Sequence, residues 1–287
     1  MFQEFSYSIY NGLIYIALAF VFFFLGKLIY QLLHKDIRVK EELVVKDNLA
    51  FSFAHVGYFV GLLLAIGSAI AGPSKGLVED CIEISIYAAL ALVLLNISVF
   101  ITDKVVLRRF SVQKEIVEDQ NSGTGIIEGA VSIASGLIIF GAISGESESI
   151  THGMYTTVLF WGAGQLLLIL TTRVYNWITP YDIHEHLEKD NVAVGVGFAG
   201  ALIAIANLIR FAITGVFETM DEVAIAGIEV AGGLLILPVM RFLTDKILLP
   251  GASLTDEIVN QEKANIGAAL VEAFGYIGGS VLLTWCI

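Results

Sequence analysis

Four times along the chain, at intervals of about 72 residues, an asparagine opens a long apolar run. The marks are Asp47-Asn48-Leu49-Ala50, Gln120-Asn121-Ser122-Gly123, Asp190-Asn191-Val192-Ala193 and Ala264-Asn265-Ile266-Gly267. A charged stretch precedes each, and another apolar run precedes that. A repeated pair of helices satisfies this pattern, and the length of the runs identifies their solvent. Eight runs, roughly 9–33, 48–72, 81–101, 123–144, 153–178, 192–217, 223–243 and 265–287, reach or approach the ~20 residues needed to cross ~30 Å of hydrocarbon. Only 15% of the residues are charged, against about 25% in soluble domains, and the mean hydropathy is +0.80. The expected fold is all-α: a polytopic membrane protein with eight transmembrane helices. The first run has neither a basic start nor a small-residue cleavage site, so it reads as a retained span.

Basic residues orient the spans. Lys35, Arg38, Lys40 and Lys46 lie in loop 34–47, and Lys104, Arg108, Arg109 and Lys114 in loop 102–121. Lys189, Lys246 and Lys263 fall in the third and fourth loops of the same side. On the other side Lys75 stands alone among acids such as Glu146, Glu148, Glu218, Asp221 and Glu222. This bias predicts a membrane protein with the four longer loops in the cytoplasm and both termini outside. The net charge of −12 argues against nucleic acid as a partner. The lipid bilayer is the expected surrounding, a cytoplasmic protein could dock at loops 34–47 and 102–121, and the glycine faces suit a homodimer.

The fourfold pattern is a doubled double. An offset of 142–144 residues aligns Thr102-Asp103-Lys104 with Thr244-Asp245-Lys246, Glu115 with Glu257, Asn121 with Asn265, and Glu128 with Glu272. A four-helix unit, itself two related hairpins, is therefore repeated in tandem, over 1–144 and 145–287. Four spans per unit return the chain to the same side, so the repeats are parallel rather than inverted. The Asp-Asn-x-Ala opening of a glycine-rich span, in four-span units, resembles the bacterial inner-membrane YjfL-like family (domain of unknown function 350) over essentially the whole chain. That resemblance implies a setting in envelope stress or polyamine-linked modification, and no mechanism.

Asn48, Asn121, Asn191 and Asn265 stand where polar loop becomes apolar helix, the place for a cap that satisfies an orphaned backbone N–H. A second reading has the four amides converge on a central vestibule. Glycine and alanine follow each Asn at spacings of three and four, which lets membrane helices approach closely. The even-numbered spans should thus form an inner layer, and the odd-numbered ones, rich in Phe, Leu and Ile, should face lipid.

Counting seven residues from each Asn reaches His55, Glu128, Phe198 and Glu272. A carboxyl there lies about 10 Å along the helix and is costly in hydrocarbon unless it meets a partner or water. Glu128 and Glu272 are accordingly either ion or proton ligands or structural partners of Arg173 or Arg241. Glu83 and Glu229 form a second set in the outer half, with Arg210 as their natural counter-charge; Asp103 and Asp245, with Lys104 and Lys246, read as interfacial anchors or as a docking surface for a soluble partner. Cys81 and Cys286 read as packing residues, and His184 and His186 as parts of a polar loop. Without GxSxG, HExxH, Walker or CxxC motifs, neither an enzyme nor a cofactor or metal site is expected. The leading expectation is a channel or transporter-like bundle that conducts protons, cations or a small cationic solute through intramembrane carboxylates. The alternative is a non-transporting scaffold that docks envelope-stress or polyamine-related proteins.

Overall fold

The computed structural model describes residues 2–105, 111–144, 149–215, 220–249 and 251–286; Arg108, Arg109, Glu146, Glu148 and Glu218 lie outside these. Among the described residues eight helices are long and apolar enough to cross a membrane. They are α1 (Phe2–Leu33), α2 (Leu49–Ala71), α3 (Leu77–Val105), α5 (Ser122–Ile143), α6 (Ile150–Ile178), α8 (Val192–Ile213), α9 (Met220–Leu243) and α11 (Ile266–Cys286). Before each even-numbered span comes a short helical turn on the basic side. These turns are a π-helical segment Glu41–Val45, then α4 (Val112–Val117), α7 (Ile183–Glu188) and α10 (Leu254–Val259). A second π-helical segment, Thr244–Leu248, continues α9.

The start of each inner span is set locally. Asp47, Gln120 and Asp190 adopt left-handed backbone, with φ of 51°, 54° and 58°, and turn the chain out of the short helix. Asp tolerates that conformation better than most side chains because it can hydrogen-bond to nearby backbone. The asparagine that follows is extended and caps: Oδ1 of Asn48, Asn121, Asn191 and Asn265 accepts from the N–H of Phe51, Thr124, Val194 and Ala268, at 3.0, 3.0, 3.1 and 3.1 Å.

The inner spans stand in a row, α2 against α5, α5 against α8, and α8 against α11. α3 touches both α2 and α5, α6 touches α5 and α8, and α9 touches α8 and α11. α8 is the most enclosed span and α1 and α9 are the least, so the division into a small-residue interior and a lipid-facing exterior holds. Backbone contact makes the row possible. A Cβ on Gly57 would fall on the backbone of Gly129, and one on Gly195 would come 2.7 Å from Gly123 Cα. In lipid, where exposed leucines cost nothing, such close van der Waals approach is what holds helices together.

The asparagines also link the row. Nδ2 of Asn48 donates to Ile116 O at 2.9 Å, that of Asn121 to Leu187 O at 2.7 Å, and that of Asn191 to Ile258 O at 2.9 Å. Each amide thus ties its own span to the short helix of the next unit. Among the described residues Asn265, in the last unit, donates only to Glu257 Oε2, at 2.8 Å. The amides therefore run along the row and do not converge on a vestibule. Asn121→Ala should remove both the cap and the link to Leu187 O, each worth about 1 kcal/mol, for about 2 kcal/mol in all, since Leu187 O keeps the N–H of Asp190 at 3.0 Å. Asn265→Ala should cost only the cap. Thermal unfolding of both variants in the same detergent checks the difference.

On the basic face each short helix carries a carboxylate under the asparagine, except in the third unit, where His186 takes the position. Glu42 accepts from Lys46 Nζ at 2.7 Å and from Asn48 Nδ2 at 2.9 Å. Burial pushes its carboxyl up, but those donors outweigh burial and hold it below the usual range. Glu115 lacks the lysine, because Asp119 occupies the matching position. Its burial prevails over the Asn121 hydrogen bond, and its carboxyl is raised.

Candidate functional site

In the second repeat Glu272 is 1% exposed and ends beside Arg241 of α9, whose Nε donates to Glu272 Oε1 at 2.6 Å. Arg241 Nη2 donates to Thr255 Oγ1 of α10 at 3.2 Å, which fixes the guanidinium from the other side. The bare α-carbon of Gly197 makes room for the acid: a Cβ there would lie 2.5 Å from Glu272 Oε2. Asp245 turns instead toward α10 and accepts from the N–H of Leu254 at 2.7 Å. A cavity of about 280 Å³ opens beside Arg241, lined in part by Tyr175, Thr179, Asp245, Thr255 and Tyr276.

The first repeat repeats the acid and omits the base. Val99 stands at the position of Arg241. The carboxyls of Glu128 and Asp103 come within hydrogen-bonding reach of each other instead, at the end of the spans that carries the basic loops. Glu128 Oε2 and Asp103 Oδ1 are shut off from solvent, and among the described residues neither receives a hydrogen bond. Tyr30 of α1, His34 just past its end and Lys104 of α3 supply the nearby titratable groups. His34 is engaged with the Tyr30 carbonyl at 3.0 Å, and Lys104 is exposed over the ring of Phe100 at 5.9 Å.

His55, 9% exposed, sits among the rings of Tyr30, Phe51 and Phe59 at centroid distances of 4.9, 5.2 and 5.1 Å. Its Nδ1 has no hydrogen-bond partner. Phe198 stacks on Tyr175 at 5.6 Å. The four residues seven beyond the asparagines thus lie on four successive spans of a row, not around a central opening.

The outer carboxylates divide between the repeats. Glu83 pairs with Lys75 at 2.7 Å rather than with Arg210. The two line a cavity of about 620 Å³ with Asp80, which accepts from Tyr15 Oη, Ser74 Oγ and Lys75 N at 2.5, 2.6 and 2.8 Å. Glu229 shares a cavity of about 310 Å³ with Arg210 and Glu222, while Arg210 Nε donates to Asn207 Oδ1 at 3.2 Å. Among the described residues no three His, Cys, Asp or Glu side chains converge to hold a metal ion.

Two expectations need correction. Arg173 is exposed on α6 and, among the described residues, makes no ion pair, so Arg241 is the guanidinium that meets an intramembrane acid. Asp103 and Asp245 are not twin interfacial anchors, since one faces Glu128 and the other holds the start of α10. The recurrence of Asp103 at the end of an apolar run was the available signal, but repetition alone does not tell which way a side chain turns.

Comparison with known proteins agrees with this architecture. The chain is 24% identical over 203 residues to the UPF0719 transmembrane protein of Aquifex aeolicus (strain VF5), covering 70% of this chain and 72% of that one. No solved structure matches. The model of the Domain of Unknown Function (DUF350) family matches twice, over residues 4–143 and 149–287, each match holding four of the eight spans. This multi-pass membrane protein, with its row of asparagine-capped spans, belongs to the DUF350 family as two tandem copies.

Proposed function

We propose that the protein conducts protons or small cations across a bacterial inner membrane, with the first repeat as the working half. Its basic loops would face the cytoplasm and both termini the outside. The observation that carries this reading is Glu128, two turns into α5, whose Oε2 is sealed from solvent without a donor as that of Glu272 is, but which among the described residues has no guanidinium such as Arg241 gives Glu272. An uncompensated carboxyl at that depth costs several kcal/mol and is usually part of an ion or proton route. His55, with its free Nδ1, lies on the neighbouring span as a second titratable group. Glu83 and Asp80 give the outer cavity an acidic lining suited to collecting cations. Glu272 serves structure in this scheme, because its charge is already matched.

The test is flux in proteoliposomes under an imposed pH gradient and membrane potential, read by an entrapped pH dye. The parent protein should dissipate the gradient, and Glu128→Gln should abolish most of that flux while folding normally. A parent protein inert to protons, sodium and potassium alike would reject conduction. The remaining role would then be that of a scaffold engaging soluble proteins through loops 34–47 and 102–121.

A further inference from the structure

We infer that Asp103 and Glu128 form a proton-binding pair that holds one shared proton, and that Arg241 permanently fills the equivalent place in the second repeat. The inference deepens the reading of Glu128 as the working carboxyl, and it is measured separately from flux.

Two carboxylates offer only acceptors, so a contact between them repels unless a proton makes one of them a donor. Glu128 Oε2 and Asp103 Oδ1 are both buried and both without a donor from the protein. Among the described residues His34 and Lys104 lie near Asp103, but neither hydrogen-bonds to the pair: His34 Nδ1 is at the Tyr30 carbonyl and Lys104 Nζ stands over the ring of Phe100. His55 faces Lys27 and His34 rather than an acid.

The sister site supplies the independent observation. Glu272 corresponds to Glu128 and Asp245 to Asp103, and between α9 and α11 the place holds a cation, the guanidinium of Arg241. Thr255, which steadies that guanidinium, corresponds to Gln113, and Arg241 itself to Val99. One fold position thus occurs twice, once with a covalently tethered cation and once with two acids and none. A proton needs no cavity and no further ligand, which suits a site where two carboxyls lie side by side. In operation an O–H bond forms at the pair as one in a hydronium ion on one side breaks, and the pair's O–H breaks again as a water on the other side takes the proton up.

Difference infrared spectroscopy of the full chain in lipid nanodiscs tests this, through the C=O stretch of a protonated carboxyl and its shift in D2O. The parent should show one such band. Glu128→Gln and the equally conservative Asp103→Asn should each remove it, and Glu272→Gln should leave it. Val99→Arg, which copies the second repeat into the first, should remove it too, while Arg241→Gln should add a second band. A parent protein with no band, or a band that survives both Glu128→Gln and Asp103→Asn, overturns the shared proton. So does a band that persists in a Val99→Arg protein eluting as the parent does. A band without proton flux would uphold the pair and defeat the transport reading, and flux without a band would do the reverse.

Discussion

Gly57→Leu should abolish the folded first repeat, whereas Gly67→Leu, in the same helix, should pass nearly unnoticed. Gly57 lies against the backbone of Gly129, and a single added carbon already meets the Gly129 α-carbon and carbonyl. Nothing in that contact can rotate away, since the obstacle is main chain. Overpacking that side chains can absorb costs about 1–3 kcal/mol, and here α2 and α5 would have to part. The asparagine link from Asn48 to Ile116 spans the same interface, so it would be lost as well. Around Gly67 nothing stands within 4 Å of where a β-carbon would sit, so a leucine there only adds apolar surface facing lipid. Size-exclusion profile and melting temperature in one detergent separate the two outcomes. Equal behaviour of the two variants would mean that α2 and α5 do not touch through backbone.

Arg241→Ala should be the second severe lesion. Glu272 is 1% exposed, and Arg241 Nε is its hydrogen-bond donor. Removal of one partner from a buried ion pair leaves an uncompensated charge and typically costs about 3–5 kcal/mol. The reverse change, Glu272→Gln, should cost less, because the Arg241 side chain is 22% exposed and retains Thr255 as a hydrogen-bond acceptor. The double variant Arg241→Ala/Glu272→Gln should recover much of the loss, since no charge is then stranded. A double-mutant cycle on melting temperatures measures this coupling. Additive losses would mean that the two groups do not act as a pair.

Features read from local chemistry survived into three dimensions. Asparagine caps were legible because a cap acts over three residues, and lipid makes an unsatisfied helix start expensive. The small-residue spans were legible for a similar reason, since close packing in a membrane requires small side chains wherever helices meet. The tandem duplication follows from residues that recur at one offset. Glu272 was recognisable as anomalous inside an apolar run, and Arg241 was one of two bases within reach along the sequence.

What stayed hidden depends on direction rather than composition. The second hydrogen bond of each inner asparagine goes to a carbonyl 66–68 residues away, and any residue type carries a carbonyl. Arg173 and Arg241 look alike in sequence, yet one points outward and the other between α9, α10 and α11. Asp103 and Asp245 occupy matching positions and turn to different partners, because Val99 supplies no charge to free Asp103 from Glu128. By itself, then, the chain determined its solvent, its spans, its repeat and its caps, all properties of segments no longer than a helix or of their recurrence. The tertiary structure alone decided that the inner spans form a row and that one buried acid meets an arginine while its twin meets another acid. Those choices rest on which faces of separate helices pack together, and helical periodicity places residues on a face without saying what that face will touch.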